Sequence, residues 1–283
     1  MNCLKKMNKF GIFILTYKRP NKQLTLEALK KQGYTGKIYL IVDNTDDTIQ
    51  ELKDNYHSRC DEIIVFDKEK YYKCTDTVDN FHNLKSVVYA RNASFDIAKR
   101  LGLDYFMTID DDIKQFNYRI IKDNKLISRK IKRLDDVIIA NLDFFNNNKI
   151  DVLGFADSSL YFGGINGQRY SERLPRESYQ CMMFKTDKKI NYKGTMCEDL
   201  NTTLEYGKQG NVFFNNMLIC FNAPKRSTND GGLKDLYENN SLYVRNFYSL
   251  IVNPSVIKLL PNGKTKNKIK DTLPKIINQR WKK

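Results

Sequence analysis

The sequence predicts an α/β protein with a mainly parallel central sheet flanked by helices. Two observations point there: short apolar runs alternate with amphipathic segments through the first 115 residues, and two of the runs end directly in an aspartate, at Asp43 and Asp110. Strand–helix alternation at this spacing builds βαβ units. A third observation sets the scale: 283 residues with 41% hydrophobic content suit one α/β catalytic domain with a real core.

Phe10 to Thr16 is an apolar run of strand length. Pro20 is expected to open a helix, a position that tolerates proline. Leu24, Ala28 and Leu29 give that helix an apolar stripe, and Gly33 ends it. Lys37 to Val42 is the second strand, Ile49 to Tyr56 a helix and Glu62 to Phe66 the third strand. Val87 to Leu101 reads as a helix with Ala90, Phe95, Ala98 and Leu101 inward, stopped by Gly102. Tyr105 to Ile109 is the fourth strand. Ligands of such sheets sit beyond the carboxyl ends of the strands, so acids gather at the ligand edge.

After Ile113 the pattern changes. Residues 114–133 read as a hairpin or exposed loop around Asp123-Asn124. Leu134 to Asn146 is helical, with Val137, Ile138 and Leu142 in the core. Val152 to Phe155 and Gln180 to Phe184 are strands, joined by a long loop from Tyr161 to Arg176. Thr195 or a neighbour caps a helix through Tyr206. Val212 to Phe214 and Leu218 to Phe221 are two short strands. Lys225 to Gly232 is a polar loop, and Leu233 to Leu250 a helix. The division expected is a catalytic domain over 1–253, with halves 1–115 and 116–253, and a basic tail over 254–283.

The net charge of +15 is concentrated. Lys114 to Arg133 carries eight basic residues against one acid, and Pro254 to Lys283 nine against one, which together account for the whole excess. Two local patches suit a large polyanion; the other reading is a solvated lysine-rich face. No Cys-x-x-Cys pair occurs and only two histidines, His57 and His82, so a structural zinc site is not expected. The six cysteines read as reduced thiols, mostly buried. Residues 1–9 are polar and basic, the run after them is too short for a signal h-region, and no run approaches a membrane span. The chain therefore reads as soluble and cytoplasmic.

Asp110-Asp111-Asp112 is the most informative motif. Three consecutive carboxylates after an apolar strand repel one another, and need a cation or a solvated turn. Asp110 and Asp112 face one side if the chain stays extended. Hard oxygens of this kind suit Mg²⁺ or Mn²⁺, with a diphosphate completing the shell. A turn or helix cap is the other reading. Asp43 can accept hydrogen bonds from a base or ribose, or close an Asx turn. Arg91 offers a fixed charge and Asn92 a bidentate amide at a helix start. Thr195 and Glu198 have capping-box spacing, which leaves Asp199 freer to handle a hydroxyl. No Gly-x-Gly-x-x-Gly follows the first strand, and no P-loop or Gly-x-Ser-x-Gly occurs, which disfavours dinucleotide oxidoreductases, P-loop NTPases and triad hydrolases.

Ile14-Leu-Thr-Tyr-Lys-Arg-Pro20 resembles the opening nucleotide-binding strand of GT-A glycosyltransferases. Tyr39-Leu-Ile-Val-Asp-Asn44 resembles their second strand, and Ala90-Arg-Asn92 the element ahead of their Asp-x-Asp motif. Lys22-Gln-Leu-Thr25 is similar to the TET-associated glycosyltransferases of bacteriophages, a group linked to glycosylation of hydroxymethylpyrimidines in DNA. The resemblance implies a GT-A-like, Rossmann-like fold, a UDP-sugar donor and Mn²⁺ or Mg²⁺. It places Thr16, Tyr17, Lys18, Arg19, Asp43, Arg91, Asn92, Asp110 and Asp111 at the nucleotide-sugar. Asp110 and Asp112 hold the metal, with Asn229 and Asp230 as further ligand candidates because no C-terminal histidine is present. Asp199 and Glu198 approach the acceptor. The basic segments, with Lys114, Arg129, Lys130, Lys132 and Arg133 in one and Lys264, Lys266, Lys268 and Lys270 in the other, would contact DNA carrying hydroxymethylated pyrimidine in a phage-infected host cell. Two alternatives stand beside this: an enzyme of the same fold acting on a surface glycan or lipid-linked sugar, and a nucleic-acid-binding protein on a degenerate transferase scaffold.

Overall fold

The computed structural model describes Met7 and residues 9–167, 178–224, 242–261 and 265–267. β1 (Phe10–Leu15) is buried along its whole length. Phe10, Ile12 and Ile14 belong to one core with Leu26 and Leu29 of α1 (Leu24–Lys31) and Leu142 and Phe145 of α5 (Leu134–Asn147). Phe13 and Leu15 belong to the other, with Tyr89 and Phe95 of α4 (Val88–Arg100). A strand covered on both faces reads as an unbroken apolar run, which is why β1 was legible.

β2 (Lys37–Asp43), α2 (Ile49–Tyr56), β3 (Glu62–Phe66), α3 (Lys68–Cys74) and β4 (Tyr105–Asp110) complete the first half. The second half adds β5 (Gln115–Lys122), β6 (Lys125–Lys130), β7 (Val152–Asp157), β8 (Cys181–Lys185), α6 (Glu198–Lys208), β9 (Phe213–Asn222) and α7 (Leu242–Val252). The strands join one nine-stranded sheet in the order β3-β2-β1-β4-β8-β7-β9-β5-β6. β3, β2, β1 and β4 are parallel. Beyond β4 the sheet is mixed: only β7 and β9 run parallel to each other there. Chain order reverses between β1 and β4, where such sheets bind ligands. Leu15 stands beside Ile41 and Asp110 in register, so the carboxyl ends of β1, β2 and β4 meet at that edge.

Three elements, and the burial of the cysteines, differ from expectation. Helix α1 begins at Leu24 and not near Pro20, because residues 16–22 form a turn that carries Arg19 to the sheet edge. Helix α3 was not anticipated; Asp67 caps it by accepting from the Lys70 backbone N–H, and seven residues are too few to show an apolar period. The two short strands expected around 212–221 are one strand, β9, whose polar middle is accommodated by a register irregularity opposite Phe155 and Ala156. Of the five described cysteines, all free thiols, only Cys181 and Cys220 are buried. The expected loop at 225–232, the helix at 233–241 and most of the 161–176 loop lie outside the described residues. So do Lys264, Lys268 and Lys270. Lys266 falls on β11 (Thr265–Asn267), which pairs antiparallel with β10 (Ile257–Leu259). Val256 and Ile257 pack with Leu200 and Leu204 of α6. No helix among the described residues is long and apolar enough to cross a membrane.

The basic stretch is the β5–β6 hairpin. Asp123 and Asn124 have φ of 49° and 55°, as a two-residue type I′ turn requires. Gln32, at the end of α1, fastens the base of the hairpin. Its Nε2 donates to the carbonyls of Phe116 (2.7 Å) and Ile131 (2.6 Å), and its Oε1 accepts from Phe116 N (2.8 Å). The turn after Gln32 passes close to the hairpin's exit. Gly33 has φ +78°, and a Cβ there would lie 2.8 Å from the Lys132 carbonyl oxygen.

Gly33→Ala therefore combines left-handed strain with a backbone clash. It is expected to cost about 1–3 kcal/mol and to lower the melting temperature by on the order of 5 °C in calorimetry. An unchanged melting temperature would contradict the close approach.

Candidate active site

The turn after β4 carries the three aspartates, and α1 holds it in place. Thr25 Oγ1 donates to the Asp110 carbonyl (2.5 Å) and accepts from Ile113 N (2.9 Å), while Thr25 N donates to the Asp111 carbonyl (3.1 Å). From the other side, Asp110 N donates to the Gln180 carbonyl (3.0 Å). The turn is therefore fixed through its backbone at both ends.

The three carboxylates do different work. Asp111 is buried; it accepts from Thr16 Oγ1 (2.6 Å) and pairs with Arg19. Gln23 supports the same corner, donating to Thr16 Oγ1 (2.8 Å) and the Arg19 carbonyl (3.0 Å). Asp110 and Asp112 keep open edges, with side chains 27% and 22% exposed. The Arg91 guanidinium stands 3.6 Å from Asp110, and that of Arg19 4.0 Å from Asp112.

Arg91 is fully inside the protein and joins the two ends of the site. Its Nε donates to Glu198 Oε1 (3.0 Å), its Nη2 faces Asp110, and its charge lies 5.7 Å from the Tyr192 ring centre. Its Nη1 has no protein partner among the described residues. The two carboxylates beside it push the Arg91 pKa further up against the effect of burial. Glu198 opens α6 and is buried, so the guanidinium places the α6 N-terminus against the aspartate turn. Asp199, next along, is half-buried, and its Oδ1 accepts from Leu200 N (2.8 Å).

The capping box expected at Thr195 and Glu198 is not formed. α6 starts after Cys197, which has φ 54° and makes no side-chain cap. Thr195 instead donates to Asp79 Oδ2 (3.1 Å), which also accepts from Tyr248 OH (2.5 Å) of α7. Arg91, 107 residues earlier, claims the glutamate.

Several of the other expected residues already have partners of their own. Asp43 is buried, pairs with Lys68 Nζ (2.7 Å) and accepts from Thr45 N (3.0 Å), so the Asx turn is real. Lys68 also lies 4.5 Å from the Tyr17 ring centre. Lys18 is left-handed and its ammonium pairs with Asp47 (3.1 Å). Asn92 is spent on Thr75 Oγ1 (2.9 Å) and on both backbone groups of Tyr192 (2.8 and 3.1 Å). Lys114, Arg129, Lys130, Lys132 and Arg133 are exposed, Arg133 pairing with Asp136. Asn229 and Asp230 lie outside the described residues. Sequence reasoning missed Lys68, Tyr192 and the bracing roles of Gln23 and Thr25. The last two stand in the motif at 22–25, which was noticed as a resemblance and not as a device.

Among the described residues, Asp110, Asp111, Asp112, Glu198 and Asp199 lie around the guanidiniums of Arg19 and Arg91. Burial, with the like charges adding to it, pushes Asp110 up to about 7 and Asp111 up to about 6. Glu198 is raised for the same reasons, with Asp199 the main neighbour. A surplus of negative charge on hard oxygen ligands fits a divalent cation. The fit is partial: no group of three His, Cys, Asp or Glu side chains converges as a ligand set among the described residues.

A family model described as TET-Associated Glycosyltransferase matches residues 10–232. The chain also resembles S. aureus TarS, with a TM-score of 0.43 at 14% identity, over 76% of this chain and 36% of that one. A cytidylyltransferase from Leptospira borgpetersenii serovar Hardjo-bovis (strain JB197) aligns with a TM-score of 0.38 at 14% identity, over 74% of this chain and 75% of that one. The chain thus spans little more than a third of the length of TarS. No curated protein matches it.

The raised Asp110 has a stability consequence in metal-free protein. The folded form holds a proton up to about pH 7 that the unfolded form releases near 3.9. Stability contributed below pH 4 is therefore lost as pH rises through 7. In chelator, the melting temperature should fall between pH 5 and 8, and Asp110→Asn should flatten that fall; equal slopes in the two proteins would count against an uncompensated carboxylate.

Proposed function

The chain belongs to the TET-associated glycosyltransferase family, and from that premise we propose that it moves a hexose, glucose from UDP-glucose, onto the 5-hydroxymethyl group of a pyrimidine in DNA. The observation that carries this reading is the surplus of carboxylates over guanidiniums at the switch point between β1 and β4. A divalent cation would offset part of that surplus, and the diphosphate of the donor would supply further oxygens to the ion.

Tyr17, Lys18 and Asp43 flank the nucleoside end, with Lys68 fixing the Asp43 carboxylate. Thr16, Asn92 and Asp111 are held in mutual or local hydrogen bonds and act by positioning. Asp110 and Asp112 are the ligands for Mn²⁺ or Mg²⁺, with Asn229 and Asp230 as candidates to add to them. When bound, the ion neutralises the departing diphosphate. Arg19 and Arg91 keep fixed positive charge at the same edge.

Asp199 is the acceptor-side base. Glu198 is engaged by Arg91 and serves to hold the helix start, whereas Asp199 retains a carboxylate oxygen for the hydroxyl. The acceptor oxygen forms a bond to the anomeric carbon, its proton passes to Asp199, and the bond from that carbon to the diphosphate oxygen breaks with its electron pair leaving on UDP. The exposed lysines and arginines of the β5–β6 hairpin contact DNA phosphates.

The test is transfer from UDP-sugars with Mn²⁺ to DNA carrying 5-hydroxymethylpyrimidine, read by mass spectrometry of the nucleosides. A hexose mass gain is expected, abolished in Asp112→Ala. Asp199→Asn should lower kcat about 10²–10⁴-fold with little change in donor KM. Transfer to simple glycans but never to DNA would move the acceptor, and absence of any nucleotide-sugar turnover would sink the proposal.

A further inference from the structure

We propose that Phe162 stacks on a nucleobase of the acceptor, making the turn after β7 and the basic β5–β6 hairpin one nucleic-acid surface; this rests on the DNA reading above. Phe162 is 78% exposed, and among the described residues only Phe81, at 77%, approaches it; the next large apolar side chain is Leu218 at 63%. β7 is antiparallel to β8, which is antiparallel to β4, so β7 and β4 point the same way. The turn bearing Phe162 therefore emerges at the same edge as the three aspartates.

The ring is presented by a braced support. Leu160 and Tyr161, immediately before it, are buried with Ala156 and Cys220, and Leu126 of the hairpin packs on that cluster. Tyr161 OH donates to the Met217 carbonyl (2.8 Å), and the Asp157 carboxylate caps the turn by accepting from Ser159 N (2.6 Å). From the hairpin, the Arg119 guanidinium lies 4.6 Å from the Tyr161 ring centre. A side chain left in water on a support this well fixed is suited to a flat apolar partner, because little ordering is needed on binding.

Charge selects the partner. Lys130 is exposed on the hairpin face that also carries Arg119 and Leu126 and packs on this turn, and Lys122, Lys125 and Arg129 are exposed on the other face of the same hairpin. Basic groups that follow a phosphate backbone, beside an aromatic ring, are the two elements of sequence-tolerant nucleic-acid binding. Phe81, equally exposed, donates its N–H to Asp79 and is followed by His82, which pairs with Glu69, so its immediate neighbours are acidic and not the basic hairpin. It serves as the matched control.

Binding to hydroxymethylpyrimidine DNA should weaken about tenfold or more in Phe162→Ala, while Phe81→Ala keeps wild-type affinity. The salt slope of Phe162→Ala should match wild type, whereas Lys130→Ala should lose about one unit. UDP binding and melting temperature should be unchanged in Phe162→Ala. The chain has a single tryptophan, Trp281, so Trp281→Phe combined with Phe162→Trp gives a direct reporter, whose fluorescence should be quenched by DNA. Wild-type DNA affinity in Phe162→Ala, or unchanged fluorescence at saturating DNA, would overturn the inference alone. A wild-type protein that binds no DNA would overturn the acceptor reading and this inference with it.

Discussion

Carboxylates withdrawn from water beside one another are costly, and the site is organised around offsetting that cost. Arg19 takes Asp111, and Arg91 sits between Asp110 and Glu198. Removing either partner of a buried charge pair leaves the other uncompensated, so the pairs fix the geometry more strongly than their net energies suggest. Because Arg91 comes from α4, Asp110 from β4 and Glu198 from α6, one guanidinium ties the two halves of the chain together at the carboxyl end of β4. Among the described residues the carboxylates at this edge outnumber the guanidiniums that pair with them.

The hydrogen bonds around this charge cluster explain a short stretch that would otherwise look like surface. Gln23 supports Thr16 and Arg19, and Thr25 holds the aspartate turn by its backbone. Gln32, at the far end of the same helix, fastens the basic hairpin. One eight-residue helix thus sets both the acidic edge and the base of the basic hairpin in relation to the sheet. The sequence similarity at residues 22–25 has a physical content: these are the side chains that make three adjacent aspartates tolerable.

Local pattern made much of this legible. The unbroken apolar runs of β1, β2 and β4 could be read because those strands are covered on both faces, and Asp43 and Asp110 followed as their ends. The hairpin turn at Asp123 and Asn124 was visible from residue type alone. What escaped was non-local. Thr195 and Glu198 have the spacing of a capping box, but Arg91 and Asp79, distant in sequence, claim them. Asp43 offered a free acid to the reader, and Lys68 on an unforeseen helix pairs with it. β9 looked like two strands because its polar middle breaks the alternation where the ladder itself is irregular. No signal within a few residues could have revealed those partners.

The central claim is that Asp110 and Asp112, at the switch point between β1 and β4, hold a divalent cation whose remaining positions are taken by the diphosphate of a nucleotide. Isothermal titration calorimetry with UDP, in Mn²⁺ and in chelator, addresses it without any assumption about the acceptor. The account predicts binding at least about tenfold tighter with Mn²⁺, and loss of that difference when Asp110 and Asp112 are both replaced by asparagine. Equal UDP affinity with and without the metal, or a metal effect that survives the double replacement, would contradict it.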